Sequence, residues 1–129
     1  LERLAEMLAE AEPRLTQSEV FDSLLQRERL GSTGLGHGVA IPHGRLGGLA
    51  AARGAFLRLA EGIDFDAPDE APVDLFFALV VPAECTEAHL RALAELAELF
   101  GDSKIRERLR QARDATSLLA IFKQWQSSA

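Results

Sequence analysis

The chain has three histidines, and two of them share one short stretch. "GLGHGVAIPHGRL", residues 34–46, holds His37 and His43, while His89 stands apart in "TEAHL". His43 has the most telling neighbours. Pro42 fixes a backbone dihedral just before it, and Gly44 leaves the far side of its ring free of side-chain crowding. If residues 39–42 form a short strand, His43 lies at the strand's C-terminal end, beside loops, where α/β proteins place their sites. The same spacing also fits a hydrogen-bonded structural histidine.

His89 and Arg27 are the other candidates. With Thr86 as an N-cap, His89 takes the third helical position, where a capping box would carry Glu or Gln. Backbone N–H groups there favour an anion and disfavour a charged imidazolium. A neutral imidazole in that place suits a phosphate neighbour, or packs its ring at the core edge. Arg27 continues the row of Val20 and Leu24 near the end of a helix. From there its guanidinium can reach the sheet edge and bind an oxyanion with two hydrogen bonds, or simply hold the helix's last carbonyls. Arg29 competes for the same role.

Other chemistries fit less well. The glycine stretch lacks the Gly-Lys-Ser/Thr ending of a P-loop, and "GLGHGVA" misses the dinucleotide spacing. Three separated histidines without HExxH or a Cys/His pairing do not support zinc, and no serine sits in a nucleophile elbow. Asp64, Asp66, Asp69 and Glu70 lie among prolines and read as a solvated turn. Cys85 reads as a buried or inert thiol. No metal and no cofactor are expected.

The elements that must position these residues follow from periodicity. The 129 residues suit one domain, taken here as 1–129. Leu1, Leu4, Ala5 and Leu8 mark a helix that begins without a capping residue, as though an N-terminal segment were missing, and Pro13 ends it. Thr16 and Glu19 open a second helix, expected to reach about Arg29. Residues 31–38 read as a glycine-rich loop. Ala55, Leu57 and Leu59 share one face of a half-buried strand, and "VDLFFALVVP" reads as a central strand covered on both faces. From Thr86 the period is helical, with Leu93, Leu96 and Phe100 inward. Asp102 or Ser103 caps a helix carrying Ile105 and Leu109, and Thr116 a last one carrying Leu118, Ile121, Phe122 and Trp125. The expected fold class is α/β (α+β), a three-layer α/β/α sandwich with a mixed sheet flanked by helices.

A net charge of −6 argues against a nucleic-acid partner. The single cysteine rules out an internal disulfide, and no apolar run is long enough to insert in a membrane. A cytoplasmic protein fits best.

"STGLGHGVAIPHGRL" followed by "PVDLFFALVVPAECTEAHL" resembles the enzyme IIA domains of the phosphoenolpyruvate-dependent phosphotransferase system, fructose/mannitol class, and most of all their nitrogen-regulatory branch. The resemblance implies that His43 accepts a phosphoryl group from a histidine phosphocarrier protein, with His89 and Arg27 surrounding it. His43 is then the nucleophile, His89 a hydrogen-bond donor and orienter, and Arg27 the charge stabiliser. Backbone N–H groups near residues 36–38 or at the start of the Thr86 helix would add to the nest, and Leu35, Val39 and Leu46 would form a docking surface. The nitrogen branch often has Asn at the His37 position, which implies that His37 is a bystander. Its partners are regulatory protein targets, controlled through the phosphorylation state. A sugar-specific IIA component feeding a permease IIB domain is the alternative. A binding module that has lost phosphoryl transfer would lack the phosphorylatable histidine, and His43 is present. A phosphoryl-transfer intermediate is implied, and whether it counts as an enzyme stays open.

Overall fold

The computed structural model describes residues 1–47, 49, 53–65, 67–83, 86–112, 114 and 116, the side chains of 11, 86–90 and 92 excepted. The chain divides into two compact units, Leu1–Leu90 and Arg91–Ala129.

In the first unit, α1 (Glu2–Ala11) starts after Leu1 with no side-chain cap and buries Leu4, Ala5 and Leu8. α2 (Gln17–Leu30) begins where Thr16 Oγ1 accepts the Glu19 N–H at 3.2 Å, half of the expected capping box. Val20 and Leu24 are fully buried, and Arg27 and Glu28 extend their stripe by one turn. Positions i, i+4, i+7 and i+8 share a helix face, so both charged heads follow the apolar residues toward the sheet.

Among the described residues, five strands make one mixed sheet: β1 (Gly34–Gly36), β2 (Val39–Ala40), β3 (His43–Leu46), β4 (Arg53–Ile63) and β5 (Val73–Pro82). β5 has strands on both edges, and it is nearly continuously apolar with buried residues on both of its faces, the pattern of a strand covered on both sides. β4 pairs with it antiparallel, from Arg53↔Val80 to Arg58↔Leu75. β2 and β3 pair with it in parallel, from Val39↔Leu75 and from His43↔Leu79. The register is the same in both, and β4 fills the opposite edge, so β2 and β3 lie end to end along one edge of β5. The interruption falls at Ile41 and Pro42, where Pro42 has no N–H to give a ladder. The Pro42 carbonyl still accepts the Leu79 N–H at 2.9 Å.

Two expectations change here. The glycine-rich stretch is not all loop, because β1 within it pairs antiparallel with β2. His43 also does not close a strand; it opens β3 just after the proline break. The expected faces hold elsewhere. Ala55, Leu57 and Leu59 pack on the core made by Leu4, Leu8, Val20, Leu24, Val73, Phe76 and their neighbours.

α3 (Thr86–Gly101) begins in the first unit and runs into the second. Thr86 is its first helical residue rather than its cap, so His89 falls one place further along than expected. In the second unit Leu93 and Leu96 are half-buried, and Leu99 and Phe100 are buried. α4 (Ser103–Gln111) is capped by Asp102, whose Oδ1 accepts the Lys104 N–H at 2.9 Å, and it buries Ile105 and Leu109. The expected last helix, with Leu118, Ile121, Phe122 and Trp125, lies outside the described residues.

One close approach sets the distance between α2 and the strand that carries His43. A Cβ on Gly44 would come within 3.1 Å of both the Ser23 carbonyl carbon and its Cβ. Ser23 Oγ also donates to the Arg45 carbonyl at 3.1 Å. Gly44→Ala should therefore destabilise the protein by roughly 1–3 kcal/mol, the usual range for overpacking. The check is a urea midpoint at unchanged m-value, with Ser23→Gly in the same chain recovering part of the loss.

Candidate functional site

His43 is 8% exposed, and both of its ring nitrogens are engaged. Nδ1 lies 2.9 Å from the Ile41 carbonyl oxygen, and Nε2 lies 3.1 Å from Nε of Arg27. A guanidinium N–H only donates, so Nε2 accepts. A neutral imidazole then carries its proton on Nδ1, which donates to Ile41. The two bonds together select one tautomer, with the lone pair on Nε2.

Electrostatics keep the ring in that neutral form. Burial pulls the pKa of His43 below its ordinary 6.5; the Ile41 bond pulls it back up, the Arg27 charge lowers it, and the Glu28 carboxylate raises it. Arg27 is itself held, because Nη1 donates to the Gly31 carbonyl at 2.8 Å. Gly31 follows α2 with φ 156 and ψ 151, a region open essentially to glycine alone. That turn aims its carbonyl back at the arginine.

The structure thus brings together part of the expected site. His43 and Arg27 are in contact. Arg29 is exposed. The His89 side chain lies outside the described residues. His37 has φ 57, the left-handed region in which Asn is comfortable, and its N–H is bound by Asp69 Oδ2 at 3.0 Å. The backbone bonds from His37 and Ala71 hold the Asp69 carboxyl below its usual range. The nest expected around residues 36–38 has therefore already given its central donor to Asp69. Of the expected docking residues, Leu35 is exposed and Leu46 half-buried, but Val39 is buried at 1% exposure and faces no surface.

Sequence reasoning missed Glu28, Thr33 and the Ile41 carbonyl. Thr33, buried at 5% exposure, donates both its Oγ1 hydroxyl and its N–H to the Glu28 carboxylate. Its carbonyl in turn accepts the Ile41 N–H at 3.1 Å. The available signal was the stripe itself, since Glu28 follows Arg27 on the row of Val20 and Leu24.

A buried, neutral imidazole with its lone pair beside a guanidinium is suited to attack an electrophile that carries negative oxygens. Among the described residues no group of three or more His, Cys, Asp or Glu side chains could hold a metal ion.

The family model for the phosphoenolpyruvate-dependent sugar phosphotransferase system, EIIA 2, matches residues 1–125. The chain belongs to this IIA family, and within it is most like the nitrogen-regulatory IIA proteins. It is 45% identical over 121 residues to a nitrogen regulatory protein of Pseudomonas aeruginosa, covering 94% of this chain and 79% of that one. The Escherichia coli nitrogen regulatory protein is 44% identical over 123 residues, covering 95% of this chain and 75% of that one. The crystal structure of nitrogen regulatory protein IIA-Ntr from Neisseria meningitidis superposes with a TM-score of 0.86 at 47% identity, covering 93% of this chain and 82% of that one. IIA mannitol from Escherichia coli has the same fold, with a TM-score of 0.75 at 21% identity over 93% of this chain and 84% of that one. The helices and mixed sheet are those of this family, in the expected α+β class.

The lowered pKa has a measurable consequence. Between the depressed folded-state value and about 6.5, the unfolded chain binds a proton at this position that the folded chain does not. The His43 contribution to stability is therefore fully present above about pH 6.5 and is lost as pH falls through the folded pKa. Denaturant titrations across this window should show stability rising with pH, and His43→Gln should flatten that component of the slope.

Proposed function

We propose that this protein is a phosphohistidine-bearing regulator of a phosphotransferase system, working in the cytoplasm as one IIA-like domain. It takes a phosphoryl group from a histidine phosphocarrier protein onto Nε2 of His43, and controls partner proteins by binding them according to its phosphorylation state. The observation that carries this reading is the pair of bonds that leaves the lone pair on Nε2 and places a guanidinium beside it. The nitrogen regulatory proteins among its relatives support the regulatory purpose.

The reaction balances simply. The Nε2 lone pair forms the new N–P bond while the donor's N–P bond breaks, and the donor imidazole keeps that electron pair. Proton transfer is not required, because the His43 ring retains its Nδ1 proton and leaves the step positively charged. Arg27 must give up its bond to Nε2 as phosphorus arrives. Its guanidinium then turns to the phosphoryl oxygens, where charge-assisted bonds are stronger than the one it released. His89, by its place in the family motif, is assigned as a further donor to the phosphoryl group.

Incubation with a phosphorylated carrier protein should add about 80 Da, the mass of one phosphoryl group, to the wild-type chain and nothing to His43→Ala. Label that survives in His43→Ala would end the assignment. Arg27→Ala should slow transfer by roughly 10²–10³-fold, the usual loss for a stabilising donor, with Arg27→Lys recovering only part because it lacks the planar fork. Transfer onward to a permease IIB domain would move the protein to the sugar-transport role.

A further inference from the structure

Behind the Ile41 carbonyl that binds His43 stand two residues that the proposed transfer does not use, Thr33 and Glu28. Glu28 sits beside Arg27 at the end of α2. One of its carboxylate oxygens accepts the Thr33 hydroxyl, and the other accepts the Thr33 N–H at 3.3 Å. Thr33 is buried, and its carbonyl accepts the Ile41 N–H at 3.1 Å. The Ile41 carbonyl accepts Nδ1–H of His43 at 2.9 Å. Hydrogen bonds and the intervening backbone of Thr33 and Ile41 thus connect a carboxylate to the imidazole edge opposite Arg27.

Residue 41 lies in the proline break, outside both β2 and β3. Strand alternation turns its N–H and C=O away from β5, since the Gly38 and Pro42 carbonyls are bonded to β5. On that side Thr33 holds the N–H of the same residue, and Glu28 holds Thr33 at two points, taking the Thr33 N–H that would otherwise compete for the Ile41 carbonyl. The carboxylate is also the negative charge among the described residues that acts on His43, opposing Arg27 on the same helix.

Resting on the reading that His43 accepts a phosphoryl group, we propose that Glu28, acting through Thr33 and Ile41, is a positioning residue with two effects. It holds His43 in the Nδ1–H tautomer that exposes the Nε2 lone pair, and it offsets the positive charge the ring acquires when Nε2 bonds to phosphorus. The first effect is geometric and passes through the bonds. The second is a field effect, strongest in a partly buried site where water screens poorly. A histidine oriented by a carboxylate is a recurrent design for imidazole chemistry. Here a threonine and a main-chain carbonyl stand between the two. The Ile41 carbonyl has no use for a proton, so the ring keeps it, and the charge must be met electrostatically.

The experiment is nitrogen-15 NMR of the full chain with labelled histidine, which reads the tautomer and pKa of His43 directly. Glu28→Gln keeps the shape of the side chain and removes its charge. It should lower the His43 pKa further below the wild-type value. Thr33→Val keeps the charge and removes the hydroxyl, and should raise the share of the Nε2–H tautomer, with Thr33→Ser restoring the wild-type spectrum. The rate of His43 phosphorylation by phosphoramidate, which donates its phosphoryl group and releases ammonia, should fall severalfold in Glu28→Gln, because the positive charge developing on the ring loses its opposing carboxylate. Unchanged tautomer, pKa and rate in folded Glu28→Gln would overturn the proposal. If Thr33→Val does not fold, Glu28→Gln decides alone. Failure of the function reading looks different: wild type would take up no phosphoryl group on His43, while the tautomer and pKa of the variants would still report whether Glu28 positions the ring.

Discussion

The bond from His43 Nδ1 to the Ile41 carbonyl is the constraint on which the rest of the site depends. It exists because residue 41 faces away from β5. The carbonyls of Gly38 and Pro42 accept N–H groups of β5, so alternation along the strand turns the N–H and C=O of Ile41 to the other side. There the Ile41 N–H goes to the Thr33 carbonyl, while the Thr33 N–H goes to Glu28. The Ile41 carbonyl is thereby left to accept the imidazole proton, and the tautomer is fixed.

α2 supplies the other half, and its position is set by packing rather than by charge. Val20 and Leu24 bury the helix face, and the missing Cβ of Gly44 lets Ser23 come down onto β3. One turn beyond Ser23, the helix delivers Arg27 to Nε2. The adjacent Glu28 goes to Thr33, which holds Ile41 on the Nδ1 side. Two opposite charges at neighbouring positions of one helix are thereby sorted to the two nitrogens of one ring. Neither salt bridge nor metal is needed for this, only a stripe that outlasts its apolar residues by a turn.

Much of the frame was legible in the sequence because it depends on local rules. The uncapped start of α1, the Thr16 cap, the inward residues of β4, the buried β5 and the Asp102 cap all follow from spacing and residue type. His43 was legible as a candidate for the same reason, through Pro42 and Gly44. The proline break was misread as a strand end, since a shared register with a strand more than thirty residues away is a long-range property that periodicity does not carry. Glu28 escaped notice because a charged residue at a helix end ordinarily meets water, and only the fold brings buried Thr33 beneath it. His37 shows the converse. It looked as chemically visible as His43, yet its place is explained by a left-handed turn that Asp69 holds.

Burial and reactivity need not conflict at His43. A histidine that is 8% exposed looks a poor target for a donor carried by another protein. What covers its Nε2, however, includes the guanidinium that the proposed reaction calls for. In that proposed reaction the arginine would exchange an imidazole acceptor for phosphoryl oxygens, with its second nitrogen held by the Gly31 carbonyl as it is at rest. The new bonds would be charge-assisted. One side chain would then satisfy the buried site both at rest and in the proposed phosphorylated state. Within the proposed function, the resting contact between Arg27 and His43 keeps the lone pair neutral, oriented and covered until a phosphoryl group displaces it.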